Sequence, residues 1–185
     1  MRVGIFDLET SNLNAEWGII LCACVKEYGK AGVKTYRADD YPSFKTHRSS
    51  DELLVRALIK DLEEFDILVA HNGVGFDRAW LMAKATKYDV KHTLRYKKFI
   101  DPVRLARRSF KLGSNGLQSL INFLNIPTTK TRIRPEAWLE ASLDGNKKAM
   151  DEIVYHCKRD VLSLNGVYGK MRLLIERIDN RGSAQ

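Results

Sequence analysis

The sequence predicts an α/β fold: a five-stranded mixed sheet, made of an antiparallel meander plus parallel strands, flanked by helices. Three observations predict it. Strand-like apolar runs follow one another closely near the N-terminus, at 3–6, 17–28 and 32–37, with turn residues and no helical period between the second and third. Two later apolar runs, 66–70 and 97–101, alternate instead with helical periodicity, the pattern of parallel strands joined by crossovers. The 185 residues, 44% of them hydrophobic, suffice to bury a core.

The first strand opens on Val3-Gly4-Ile5-Phe6 and runs directly into Asp7-Leu8-Glu9-Thr10. Residues i and i+2 of a strand share a face, so Asp7 and Glu9 look the same way at its end. Two like charges so placed raise each other's pKa and cost desolvation unless they are solvated or a cation sits between them. Oxygen ligands of this kind suit Mg²⁺ or Mn²⁺. For this stretch alone, a turn begun by Asp7 with Glu9-Thr10 in a solvated loop is the competing account.

The second strand covers 17–28, a turn lies at 27–30, and the third strand follows at 32–37. Residues 39–48 carry Pro42 and no period, which predicts a loop. Ser49-Ser50-Asp51-Glu52 has capping-box spacing, and Leu53, Leu54, Ala57, Leu58, Leu62 and Phe65 share one helical face, giving a helix over 51–64. His71-Asn72-Gly73-Val74-Gly75 breaks the fourth strand before a helix over 76–86. Asn72 and Asp77 therefore stand near the carboxyl end of that strand, where open α/β sheets hold ligands. After the fifth strand, Asp101-Pro102 reads as an N-cap and a first-turn proline. That helix carries Arg104, Arg107 and Arg108 and ends near Gly113; another spans 115–124. Residues 125–134 form a basic, threonine-rich loop closed by Pro135. From 147 to 178 the pattern is helical, weakened by Gly166 and Gly169 and so expected as two helices or a bend. Residues 1–180 read as one domain, and 181–185 as a tail without an apolar anchor.

No apolar stretch approaches the roughly 20 residues of a membrane span, and no apolar segment of a secretion signal follows the N-terminus. A soluble, intracellular protein with no membrane partner is expected. Cys22 and Cys24 share a strand face and Cys157 is remote in sequence, so core packing in a reducing compartment accounts for them better than disulfides or zinc. The net charge of +8, from 31 basic and 23 acidic residues, is uneven. Lys and Arg crowd 84–111, where Asp89 and Asp101 are the acids, and a one-sided basic segment beside a carboxylate cluster points to nucleic acid as partner.

Near the C-terminus, helical spacing stacks His156 on Asp160, whereas Tyr155, five before Asp160, is rotated away. An imidazole beside a metal-binding acid makes a workable proton acceptor. Alone, an exposed helical ion pair explains this spacing equally well.

Together, Asp7-x-Glu9 on a first strand, Asn72-x-x-x-Phe76-Asp77 after a middle strand, and an aromatic or His ahead of Asp160-Val161 resemble the three exonuclease motifs of the DEDD superfamily. This is the ribonuclease H-like (DnaQ-like) group that includes DNA polymerase proofreading domains. The order and separations agree over 3–165. The segments Asp101-Pro102-Val103-Arg104-Leu105-Ala106-Arg107-Arg108 and Lys111-Leu112-Gly113-Ser114-Asn115-Gly116-Leu117 resemble the YprB-like stand-alone exonucleases of bacteria and their viruses. One departure stands out. The tyrosine subclass carries Tyr four residues before the last Asp and the histidine subclass His five before it; here His156 is at minus four and Tyr155 at minus five. The helical wheel favours His156, with Tyr155 as the alternative.

The resemblance implies a ribonuclease H-like fold, a cytoplasmic setting in a bacterial cell or phage-infected host, and 3′–5′ hydrolysis of DNA to 5′-mononucleotides. It also implies two divalent ions, Mg²⁺ or Mn²⁺, about 4 Å apart, held by Asp7, Glu9, Asp77 and Asp160. Leu8, Thr10 and Ser11 are expected at the terminal nucleotide. Asn72 and Phe76 are further candidates for the substrate side, though Phe76 reads most economically as a core residue supporting Asp77 and Asn72 as a cap, and Arg104, Arg107, Arg108, Lys111 and Lys130 are expected on phosphates. His71 reads as a structural, hydrogen-bonded histidine. The rivals are a ribonuclease or structure-selective nuclease of the same fold, a non-catalytic nucleic-acid-binding module, and, last, a phosphatase using Asp7 as nucleophile.

Overall fold

The computed structural model of the chain describes residues 1–128 and 131–182. Its sheet has the order β3-β2-β1-β4-β5, with β1 at Val3–Thr10, β2 at Ile20–Glu27, β3 at Lys34–Arg37, β4 at Ile67–Val69 and β5 at Lys98–Ile100. β2 is antiparallel to β1 and β3, whereas β4 runs parallel to β1 and β5 parallel to β4. This is the predicted mixed sheet. β1 is the middle strand, so its first half must be apolar on both faces, and Val3, Ile5 and Phe6 are buried. Gly4 is small for a reason of space: a Cβ there would come within 2.6 Å of the Phe65 ring.

Helix α1 spans Pro42–Thr46 and α2 spans Glu52–Leu62. α2 buries Leu54, Leu58 and Leu62 of the expected stripe together with Val55 and Ile59, while Leu53 turns out to solvent, and packs on β2, β3 and α3 (Asp77–Lys87). α4 (Pro102–Ser109) starts as read, with the Asp101 carboxylate accepting from the Val103 N–H at 3.0 Å. α5 (Leu117–Phe123) follows.

Four expectations are corrected. Residues 39–48 are not all loop, because Pro42 sits at a first helical position, where its missing N–H costs nothing, and opens α1. Pro135 does the same for α6 (Pro135–Leu139), and a π-helical turn continues to Asp144. The long C-terminal segment is one helix, α7 (Lys147–Gly182), lying across β1 and β2. Its glycines serve packing: a Cβ on Gly166 would meet Ile126 at 2.5 Å, and one on Gly169 would lie 3.3 Å from the Tyr28 hydroxyl. Residues 183–185 of the expected tail lie outside the described residues.

The fourth correction concerns the capping box. Asp51 is the residue before α2 but makes no side-chain cap; its carboxylate turns inward and is buried. There it accepts from the Ile20 N–H at 2.7 Å and the Tyr88 hydroxyl at 2.5 Å, and pairs with the equally buried Lys84 ammonium at 3.4 Å. Lys84 also donates to the Gly18 carbonyl. Lys84, counted above in the basic run, is thus a core residue tying α3 to the segment before β2. Lys97 is likewise structural, donating to the carbonyls of Glu63 and Phe65. Among the described residues, no helix is long and apolar enough to cross a membrane.

Removing one member of a buried ion pair strands the other in a dry environment. Asp51→Ala, which also orphans the Ile20 N–H, is expected to cost about 3–5 kcal/mol in urea unfolding at neutral pH. A loss below about 1 kcal/mol would show the pair to be hydrated.

Candidate active site

β1 delivers two carboxylates to one face because its side chains alternate, and a bulge after Glu9 ends the regular ladder with β2. α7 lies over that face. The Cys157 thiol donates to the Asp7 carbonyl at 3.4 Å, which sets the helix's register on the strand. Beside that anchor α7 presents His156, the residue before it, and Asp160, one turn after His156, with His156 Nε2 3.5 Å from Asp160 Oδ2 and 3.9 Å from Glu9 Oε1. Asp77 enters from the third direction, at the start of α3, where its Oδ1 accepts from the Leu8 N–H at 3.0 Å across the sheet edge.

The four acids form one electrostatic unit. The Asp7 carboxyl is held well above its ordinary range by burial and then by the charges of Asp77, Glu9 and Asp160. Burial and Asp160 push Glu9 up to about 8, against a hydrogen bond from the Trp138 side chain. Burial lifts Asp77 to about 7, opposed by backbone N–H groups including that of Leu8. Among the described residues, no three His, Cys, Asp or Glu side chains are already gathered at metal-holding spacing. Mutual repulsion favours that spread. The donor set, hard carboxylate oxygens desolvated together, fits a divalent cation of the Mg²⁺ or Mn²⁺ kind, which relieves both penalties.

The other expected residues divide. Tyr155 is 57% exposed, while the His156 Nδ1 lies 2.8 Å from the Thr131 hydroxyl in a part-buried position. Leu8 is buried and its N–H is committed to Asp77, so it braces the site and offers no outward wedge. Thr10 donates to the Asn12 carbonyl, and the Ser11 hydroxyl accepts from the Ile19 N–H; both fasten the loop after β1. Phe76 leans on Trp80 at 6.1 Å. Asn72 adopts φ 59°, a left-handed conformation that Asn tolerates, and its side chain lines a groove of about 590 Å³ with His71, Arg107, Ser114 and Asn115. The His71 Nδ1 is buried and, among the described residues, has no hydrogen-bond partner. The arginines do not form one track. Arg107 faces the Asn72 groove, whereas Arg104 and Arg108 line another beside Ile175. Lys111 is exposed beyond α4, and Lys130 lies outside the described residues.

Four further residues take part in the site. Asp101 was seen as a cap, but its carboxylate also accepts from the Asn72 and Val74 N–H groups at 3.0 and 3.3 Å, fixing the turn that precedes Asp77. Trp138 and Thr131 sit in stretches without period, and nothing local ties them to Glu9 and His156. Cys157 was read as packing, yet it also hydrogen-bonds to Cys22 and Cys24 behind Asp7. The three thiols are all buried and free.

Comparison with known proteins agrees with this architecture. The model of a family described as the RNase_H superfamily matches residues 5–172. A DNA polymerase of Methanocaldococcus jannaschii is 30% identical over 89 residues, 46% of this chain and 5% of that protein. One of Thermococcus hydrothermalis is 33% identical over 100 residues, 51% of this chain and 6% of its own length. The chain thus spans only a small part of these relatives. The structure of the family B DNA polymerase from the hyperthermophilic archaeon Pyrobaculum calidifontis superimposes with a TM-score of 0.71 at 17% identity, covering 92% of this chain and 24% of that one.

The raised carboxyl pKa values make a prediction for protein held in a chelator. A carboxyl whose folded pKa exceeds its unfolded value binds more protons in the native state, so its contribution is fully present below about pH 4 and is lost as pH rises through 7 to 8. Because the acids are coupled, neutralising one relieves the rest. Asp7→Asn is therefore expected to be more stable than the parent by about 1–3 kcal/mol at pH 8, with the advantage gone at pH 4. Equal melting curves at pH 8 would mean that the acids are solvated apart.

Proposed function

The chain belongs to the RNase_H superfamily, and from that premise we propose that it is a metal-dependent 3′–5′ exonuclease of the DEDD type, trimming single-stranded 3′ ends of DNA to 5′-mononucleotides. The observation that supports the reading is that acids from three remote segments, Asp7 with Glu9, Asp77, and Asp160, lie near enough to act on one another electrostatically, beside a histidine. Likeness to DNA polymerases supports DNA as the polymer.

Asp7, Glu9, Asp77 and Asp160 would hold two divalent ions, Mg²⁺ or Mn²⁺, which when bound supply Lewis-acid stabilisation of the phosphodiester oxygens. The chain's own residues do the rest. The Leu8 N–H occupies one Asp77 oxygen and orients the other, and Trp138 restrains Glu9 in the same way. With the His156 Nδ1–H donated to the Thr131 hydroxyl, the Nε2 lone pair faces the carboxylates and takes the proton of the attacking water. Water adds to phosphorus, the bond to the 3′ oxygen of the preceding nucleotide breaks, and the departing nucleotide keeps the 5′ phosphate. Asn72 and Arg107 line a groove suited to the retained strand.

Digestion of 5′-labelled and 3′-labelled single- and double-stranded DNA, with matching RNA, tests this directly. The 5′ label is expected to give a ladder and the 3′ label an immediate mononucleotide, with Mg²⁺ or Mn²⁺ and not with chelator. Asp7→Asn should abolish turnover. His156→Ala should lower kcat by about 10²–10⁴-fold, and Tyr155→Phe should stay close to the parent. Preferential cutting of RNA, or internal cuts, would replace the exonuclease reading with another nuclease of this fold.

A further inference from the structure

The loop between β1 and β2 is anchored at many points yet displays its largest side chain to solvent. Trp80 Nε1 donates to the Leu13 carbonyl at 3.1 Å, Lys84 Nζ to the Gly18 carbonyl at 2.6 Å, and the Asn12 side chain accepts from the Asn14 N–H. A Cβ on Gly18 would overlap Trp80 and Asn12, so the loop lies flat against α3. On this fixed frame Trp17 is 74% exposed. An indole held out by a rigid loop forgoes the burial that usually justifies an aromatic, which marks a binding surface.

Trp17 borders a groove of about 640 Å³, within the size range of ligand sites, whose walls also carry His47, Arg48 and Lys87. Glu16 is the acid among the lining residues. Arg48 stands between this groove and a neighbouring one that carries Asp39 and Asp40: its guanidinium stacks over the Phe44 ring at 5.5 Å and rests against Gly145, which has φ +65° and where a Cβ would leave no room for it. Among the described residues neither Arg48 nor Lys87 pairs with a carboxylate; Lys87 stands over the Tyr88 ring. The lining includes Ser11, two residues past Glu9, and Leu139, next in the chain to the Trp138 that binds Glu9.

We infer that this groove is a second nucleic-acid site, in which Trp17 stacks on an unpaired base and Arg48 and Lys87 take the flanking phosphates of single-stranded DNA. The inference rests on the reading of the chain as a nuclease and adds to it a strand-binding surface outside the catalytic cleft. An aromatic platform among cations is the combination that grips unpaired nucleotides without regard to sequence.

The test measures binding apart from turnover, using labelled oligothymidylates in chelator. Trp17→Ala is expected to weaken binding roughly tenfold and Trp17→Phe to restore most of it. Arg48→Ala and Lys87→Ala should each lower the slope of log affinity against log salt by about one. Strand binding should quench the parent's fluorescence through Trp17, and the quench should vanish in Trp17→Phe, which keeps Trp80 and Trp138. Unchanged melting temperatures separate this from damage to the fold. If Trp17→Ala and Arg48→Ala bind as the parent does, the groove is no strand site, whatever the digestion assay shows. If they lose binding while the parent fails to cut any strand, the groove stands and the exonuclease reading falls.

Discussion

Two carboxylates on the middle strand of a buried sheet impose a constraint that the surrounding structure has to meet. Asp7 and Glu9 share a face, and the sheet leaves them little water. Their cost is limited by placement toward the carboxyl end of β1, where the ladder gives way to a bulge. The supports around them are donors: the Leu8 N–H on Asp77, the Trp138 side chain on Glu9, and the three N–H groups on Asp101, which stabilise negative charge nearby without neutralising it. A site assembled this way is electrostatically underfilled, and a divalent cation is the partner that its chemistry calls for.

Much of this was legible because it is local. Apolar runs and the Asp101-Pro102 cap fixed the strands and α4 within a few residues, and the wheel placed His156 beside Asp160 and turned Tyr155 outward. The same wheel says nothing of what α7 packs on, so the convergence of Asp160 with Asp7 depended on the resemblance to a known motif order. The structure then supplied the closeness as geometry.

What stayed illegible was non-local. Lys84 looked like one more cation in a basic run, and only a fold that brings Asp51 beneath it makes it a core residue. Gly166 and Gly169 looked like breaks because propensity counts backbone freedom; the deciding factor was the room needed by Ile126 and Tyr28. Asp51 satisfied a capping pattern and was recruited elsewhere, since a buried amide, a phenol and an ammonium outbid the end of a helix. Trp17 had been counted as the first residue of a strand, and the strand begins at Ile20.

The unbroken course of α7 has a mechanical corollary. Its first half carries His156, Cys157 and Asp160 onto β1 and β2, and its second half carries Val167 and Met171 into the small cluster that seats α4 and α5. At 1.5 Å per residue, the span from Asp160 to Val167 is about 10 Å of stiff rod. The carboxylates and the α4 wall that carries Arg107 therefore keep their spacing like two jaws bolted to one shaft, with no hinge in α7 between them.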